Sequence, residues 1–221
     1  MIVHIEFLTE DSSGRTLLEV LIPKLIGTHG SPHTWRVHPY KGVGRLPKDG
    51  LKQETDPAMR ILLDQLPRVL RGFRKTPGID AIVVVLDTDN RDCVALLREL
   101  RGVARQCDVH DKTLFRLAIE EIEAWYLGDP DALLQAYPTA KRKLLNAYEQ
   151  DSVCGTWEVL ANALVSGGAA AVKRNRGPRA GDLKHEWARA IGPLMTPERN
   201  ASPSFAKLRD GLRLMTEGSA S

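Results

Sequence analysis

Ala81-Ile-Val-Val-Val-Leu-Asp-Thr-Asp-Asn90 is the stretch whose reading decides the fold. Six apolar residues, most of them β-branched, run straight into two aspartates one residue apart. The run is too short to cross a membrane and fits a strand buried on both faces of a parallel sheet. Ionised carboxylates cannot sit in the middle of such a strand, because desolvating each one is expensive. Asp87 and Asp89 are therefore expected where the strand ends, at the carboxyl edge where open α/β sheets bind ligands. Two neighbouring carboxylates repel unless a cation lies between them, and all-oxygen ligands suit Mg²⁺ or Mn²⁺. The competing reading gives Asp87 or Asp89 only the task of capping the helix that follows.

The pattern repeats on either side. Ile2–Leu8 alternates and reads as a first strand, followed by the polar turn Thr9-Glu-Asp-Ser-Ser-Gly14 and a helix over Arg15–Ile26 with Leu17, Leu18, Leu21, Ile22 and Leu25 at helical spacing. Asp11, Ser12 and Ser13 can all cap that helix, which leaves Glu10 over as an acid at a strand's end. Thr34–Tyr40 reads as a second strand. After it, Lys41-Gly-Val-Gly-Arg45 sets two glycines between two cations, a turn able to bring amides to a phosphate or simply a surface turn. Pro57–Gly72 is expected as an amphipathic helix with Arg60, Arg68 and Arg71 on a solvated face. Asp92–Gln106 is a third helix and Thr113–Ile119 a fourth strand. Strands alternating with helices imply parallel pairing by crossovers.

Ala118-Ile-Glu-Glu-Ile-Glu-Ala-Trp-Tyr-Leu127 turns helical at the end of that strand. Glu120 and Glu123, three apart, are expected on one face, with Glu121 turned away. They make a third acidic cluster at the same sheet edge, although acids also favour a first helical turn for the dipole alone. Beyond Asp129, a cap with Pro130 after it, the strand signal fades. Trp157–Val165, Leu183–Ile191 and Phe205–Leu214 read as helices. Between the first two lies Lys173-Arg-Asn-Arg-Gly-Pro-Arg179, whose Lys173, Arg174, Arg176 and Arg179 form either a solvated loop or a phosphate-neutralising one. Gly218–Ser221 is expected to be disordered. The organisation expected is an α/β core over 1–129 with a helical extension over 130–221.

Composition narrows the class. The 221 residues are 43% hydrophobic and 27% charged, as in an ordinary globular protein. A net charge of +3 permits nucleic-acid binding without demanding it. Three cysteines without paired spacing suggest neither a disulfide framework nor a zinc site, and point to a reducing, cytoplasmic compartment. No stretch has the length and apolarity of a membrane helix, so no membrane partner is expected.

One acid after the first strand and Asp-x-Asp after the third resembles the Toprim domain shared by topoisomerases, primases and overcoming-lysogenization-defect nucleases. The wider chain resembles a bacterial Toprim-like family, domain-of-unknown-function 4276. That likeness rests on Thr9–Gly14, His38-Pro-Tyr-Lys-Gly-Val-Gly-Arg45, Val85–Asn90 and Glu120-Glu-Ile-Glu-Ala-Trp125, and continues in Gly155-Thr-Trp-Glu158, Lys184-His-Glu-Trp187 and Asn200-Ala-Ser-Pro-Ser-Phe205. Two departures stand out. Asp11 follows Glu10 where the Toprim pattern has glycine, and Asn90-Arg91 follows Asp-x-Asp where topoisomerases often carry another acid.

The resemblance implies Mg²⁺-dependent cleavage of nucleic-acid phosphodiesters, in mobile or defence loci and beside a partner ATPase. It implies Asp87 and Asp89 as metal ligands, Glu10 as ligand or general base, and Glu120 or Glu123 at a second ion. Lys184 would face the transition-state phosphate. Lys41, Arg45, Lys173, Arg174, Arg176 and Arg179 are the candidates to hold the nucleic acid. Two other readings stand beside this one: a phosphatase with Asp87 as nucleophile, and a non-catalytic Toprim-like module that binds a partner ATPase or nucleic acid.

Overall fold

The computed structural model describes residues 2–47, 56–174 and 179–217. Four strands form one all-parallel sheet in the order β2-β1-β3-β4: β1 (His4–Thr9), β2 (Thr34–Pro39), β3 (Ala81–Asp87) and β4 (Thr113–Ala118). Helices α1 (Ser12–Ile26), α2 (Leu62–Lys75) and α3 (Cys93–Gln106) make the crossovers. This is the α/β architecture expected, a Toprim-like parallel sheet flanked by helices with a helical extension after it. Among the described residues no helix is long and apolar enough to cross a membrane.

β3 runs through the centre, and its period of two explains its unbroken hydrophobicity. Ala81, Val83 and Val85 face one core with α1, whereas Ile82, Val84 and Leu86 face a second core with α2 and α3. All six are at most 2% exposed, and each larger side chain among them contributes about 1.5–3 kcal/mol. Asp87, at the end of the strand, is the one residue of β3 that is only partly buried.

α4 (Glu123–Leu127) closes the core after β4, and the extension consists of α5 (Pro130–Ala136), α6 (Arg142–Asn146), α7 (Thr156–Leu164), α8 (Gly168–Lys173), α9 (Ala180–Ile191) and α10 (Pro203–Glu217). It has no separate core. Trp157, Leu160, Trp187, Ile191, Phe205, Leu208 and Leu212 pack in the same cluster as Ile5, Phe7 and Leu18. Asp129 fastens it: fully buried, it caps α5 through the Ala132 amide and takes a two-pronged ion pair from Arg199 at 2.8 and 3.0 Å.

The order β2-β1-β3-β4 also locates a crevice. From β1 the chain goes outward to β2 over the α1 face, then returns past β1 to β3 and β4 over the opposite face. The reversal falls between β1 and β3, the switch point where doubly wound sheets bind ligands. Glu10 follows β1 and Asp87 ends β3.

The amphipathic segment after β2 differs from the expected helix. A 3₁₀ turn covers Pro57–Met59, Arg60 adopts a left-handed conformation (φ 52°), and α2 begins only at Leu62. Arg60 is exposed as expected, and its Nη2 also donates to the Pro39 carbonyl at 2.7 Å, clamping the end of β2.

Candidate functional site

The β1–α1 turn fixes Glu10. Asp11 is the cap: its carboxylate accepts from the Gly14 amide at 2.7 Å and from the Ser13 hydroxyl. Gly14 has to be glycine, because a Cβ there would lie 2.5 Å from Thr9 Oγ1. With capping done by Asp11, Glu10 is left facing inward, and its Oε2 is buried with no hydrogen-bond partner. Burial first, then the charges of Asp89 and Asp11, raise its pKa from 4.5 to about 7.

The β3–α3 turn separates its two aspartates. Neither caps α3; Asp92 does, accepting from the Ala95 amide at 2.6 Å. Asp87 points into the crevice, where burial raises its pKa well above the carboxylate range and Lys184 partly offsets that. Asp89 (φ 49°) turns outward and meets Arg91 Nη2 at 3.1 Å. Arg91 also donates to the carbonyls of Asp87 and Thr88, so it clamps the whole turn. The Asp89 amide donates to the Glu120 carbonyl, and the Glu120 amide to Thr88 Oγ1, which zips this turn to the one after β4.

Around Glu120 the structure corrects the expected arrangement. The helix begins at Glu123, not at the end of β4, and Glu120 sits at φ 61°. Glu120 and Glu123 therefore share no helical face. The Glu120 carboxylate is turned to the start of α7, where it accepts from the amides of Cys154, Gly155 and Thr156 at 2.8–3.2 Å and from the Thr156 hydroxyl. Burial alone would raise its pKa, but these donors outweigh it and lower it. With its lone pairs so occupied, Glu120 is a latch for the extension rather than an open ligand. Glu121, expected to point away, faces the crevice instead: its Oε1 lies 3.4 Å from Lys184 Nζ and its Oε2 accepts from the Trp157 amide.

Glu123 is wholly buried, and neither carboxylate oxygen has a hydrogen-bond partner. Lys184 Nζ stands 3.5 Å from Oε1, an ion pair whose geometry does not make a hydrogen bond. Burial, partly offset by Lys184, raises the Glu123 pKa from 4.5 to about 7. Lys184, on α9, is thus set among the acids of the core. Burial would lower its pKa, but Glu123, Asp87 and Glu121 hold it well above the ordinary lysine value.

Thr9, Glu10, Asp87, Ile122 and Lys184 line a cleft of about 10 Å³, close to the room of one water-sized sphere. Among the described residues no three His, Cys, Asp or Glu side chains stand ready around a common ion position. Glu10 Oε2 and both Glu123 oxygens are nevertheless buried acceptors with no hydrogen-bond donor among the described residues, a chemistry that suits a hard cation.

Lys184 and Glu121 also line a larger groove of about 410 Å³ that opens beside the cleft, with Lys173 and Arg179 along it. Both cations already hold acids, Lys173 on Glu158 at 2.6 Å and Arg179 on Asp182 at 2.9 Å. Arg174 is exposed at the end of α8, and Arg176 lies outside the described residues, as do residues 218–221.

Across the cleft, the turn with Lys41 and Arg45 flanks Glu10, since the Gly42 amide donates to the Glu10 carbonyl at 2.9 Å. The amides of Lys41 and Arg45 are likewise used, on the Arg60 carbonyl and Asp64. Gly44 is there for close packing, since a Cβ would lie 2.1 Å from Ile61 Cγ2. The expected amide cradle for phosphate is therefore replaced by internal bonds, and only the exposed side chains of Lys41 and Arg45 face solvent.

Other quoted motifs resolve into structure. Asn200 donates to the Trp125 carbonyl, Trp125 Nε1 donates to Ser204, and Ser202 donates to Asp151. His185 meets Ser12 at 2.9 Å, and Tyr137 donates to Glu186 at 2.8 Å. In comparisons with protein-family models, curated proteins and solved structures, nothing matches this chain.

Proposed function

We propose that this protein is a Mg²⁺- or Mn²⁺-dependent nuclease that hydrolyses phosphodiester bonds at the β1/β3 switch point. The observation that carries this reading is a set of buried carboxylate oxygens with no hydrogen-bond partner among the described residues: Glu10 Oε2, in the cleft with Asp87, and both oxygens of Glu123, whose charge acts on Asp87. Glu10, Asp87 and Glu123 would hold the cation, with Asp89 and Glu121 at its margin. A bound divalent ion supplies charge neutralisation for the transferring phosphoryl group and a more acidic water.

The chain's own groups do the rest. Glu10, where it does not itself ligate the ion, can take a proton from the attacking water. Lys184 stays protonated and can meet charge developing on the phosphate oxygens. Lys173 and Arg179 along the groove, with Lys41 and Arg45 across the cleft, would hold the flanking phosphates. No tyrosine lines the cleft, so water is the nucleophile in this scheme.

In a Mn²⁺-supplemented oligonucleotide assay, Asp87→Asn is expected to lower cleavage by about a thousandfold or more. The variant should also lose the rise in Tm that Mn²⁺ gives the wild-type protein. Without metal it should melt slightly higher, because one member of a repelling set is gone. Cleavage at the wild-type rate by Asp87→Asn would overturn the assignment.

One observation favours a second reading. Lys184 already offsets the acids, and no three of them stand ready for an ion among the described residues. On that reading the cleft is a charge-balanced element of a non-catalytic module that binds a partner ATPase or nucleic acid. Neither cleavage nor a metal-dependent Tm shift would then be seen in the wild-type protein.

A further inference from the structure

Another large hollow lies away from the carboxylate cleft, along the free edge of the sheet. β4 is the last strand and is bonded to β3 alone. α3 packs beside it on one face of the sheet and α10 on the other. Between them runs a slot of about 400 Å³. Phe115, Arg116 and Leu117 line it in succession. Consecutive strand residues point to opposite faces, so the slot opens onto the edge of the strand.

The slot is apolar within and cationic at its rim. Leu97 and Leu117 belong to the interior, and Val94, which also lines it, is 62% exposed. Arg98, Arg101 and Arg105 stand three and four residues apart on α3, hence on one stripe, with Arg116 and Lys207 among the other lining residues. None of the three α3 arginines forms an ion pair among the described residues. Arg116 is held by carbonyls, donating to Lys207 O at 2.6 Å and to Phe115 O at 2.9 Å. Asp210, an acid whose charge acts on Arg116, is paired with Arg209 at 2.7 Å. These cations repel one another, and an open strand edge offers unpaired backbone groups.

We propose that this slot receives an extended acidic segment of a partner protein, added alongside β4 as a fifth strand. Edge addition supplies main-chain hydrogen bonds, alternate side chains fill the apolar interior, and carboxylates meet the arginine stripe. Nucleic acid suits the slot less well. Its one lining aromatic, Phe115, is only 4% exposed, so there is no platform for base stacking. A second copy of the chain joined edge to edge would set two arginine stripes against each other.

The test is selection of a random dodecapeptide phage library on the immobilised full chain, counter-selected on an Arg98→Glu, Arg101→Glu double variant. These exposed helix positions leave the fold intact. Enriched peptides are expected to carry Asp or Glu around alternating apolar residues. Synthesised, they should bind the wild-type chain at least tenfold tighter than the double variant or Val94→Asp. Asp87→Asn should bind them as the wild type does, which separates this surface from the nuclease reading. No enrichment, enrichment of uncharged sequences, or binding indifferent to Val94→Asp would each overturn the proposal. So would a single-stranded oligonucleotide that binds here and is lost in the same variants, or a concentration-dependent dimer abolished by Arg101→Glu.

Discussion

Glu120→Ala will lower the melting temperature more than any substitution among the cleft acids. The mutation removes an acceptor that serves four donors, the amides of Cys154, Gly155 and Thr156 and the Thr156 hydroxyl. The amides that start α7 would be left without it in a largely buried place, at about 3–5 kcal/mol in all. For a chain of this size that is a fall of roughly 6–20 °C. Glutamine should restore little, because its amide nitrogen would confront donors with a donor. The sign with pH follows from the lowered pKa. Stability from Glu120 is present above the ordinary 4.5 and lost as pH falls through its folded value. A thermal melt of Glu120→Ala with and without Mn²⁺ checks both points. On the nuclease reading the metal shift survives while the baseline drops. If the baseline holds and the metal shift vanishes, Glu120 is a ligand and its latch role is wrong.

Lys184→Met will destabilise the protein strongly at pH 8 and weakly at pH 5. At pH 8 the variant must either ionise Glu10 and Glu123 around a space with no cation or hold their protons against solvent, at about 2–4 kcal/mol. Glu10 and Glu123 hold their protons in the folded state up to about 7 but release them near 4.5 when unfolded. The folded chain therefore binds more protons between those values, and stability falls as pH rises through that window. At pH 5 both acids are protonated and Lys184 has less charge to offset. The lysine's raised pKa places its own contribution below its ordinary value of 10.5, so the pH dependence between 5 and 8 comes from its partners. Chemical denaturation at the two pH values measures the difference. Equal losses at pH 5 and pH 8 would mean that Lys184 acts by packing alone. Glu10→Gln in the wild-type background should flatten the same profile.

The sheet and its crevice were legible because β3 states its environment so fully. An apolar run ending in acid has one place in a parallel sheet, and each strand found by alternation lies within about two residues of its expected bounds. Glu10 was separable from its neighbours because the caps after β1 were oversupplied. What the sequence could not convey depended on single backbone torsions. Glu120-Glu-Ile-Glu reads as a helix start, and nothing in its spacing reveals a left-handed residue at 120. That one torsion turns Glu120 to α7 and brings Glu121 to Lys184. The Lys41–Arg45 turn misled for a related reason. Gly44 reflects close packing against Ile61, a contact between segments with no local signature, and Gly42 reflects a positive φ of 120°. The arginine stripe on α3 was hidden by its ordinariness, since charged residues on an exposed helix face are the rule.

The covering of one sheet face by residues from both ends of the chain bears on how the protein is made. Ile5 and Phe7 emerge early from a ribosome, but Trp187, Phe205 and Leu212, which complete the same core cluster, emerge roughly two hundred residues later. The α2–α3 face closes at about the midpoint of synthesis, so the nascent sheet exists for a time with one side finished and the other covered by α1 alone. Contacts this distant in sequence form slowly and leave apolar surface open meanwhile. A chaperone that shields nascent chains would hold that half-covered face until α10 arrives. Codon choices or truncations that delay residues 180–212 would therefore show up as aggregation rather than as altered chemistry.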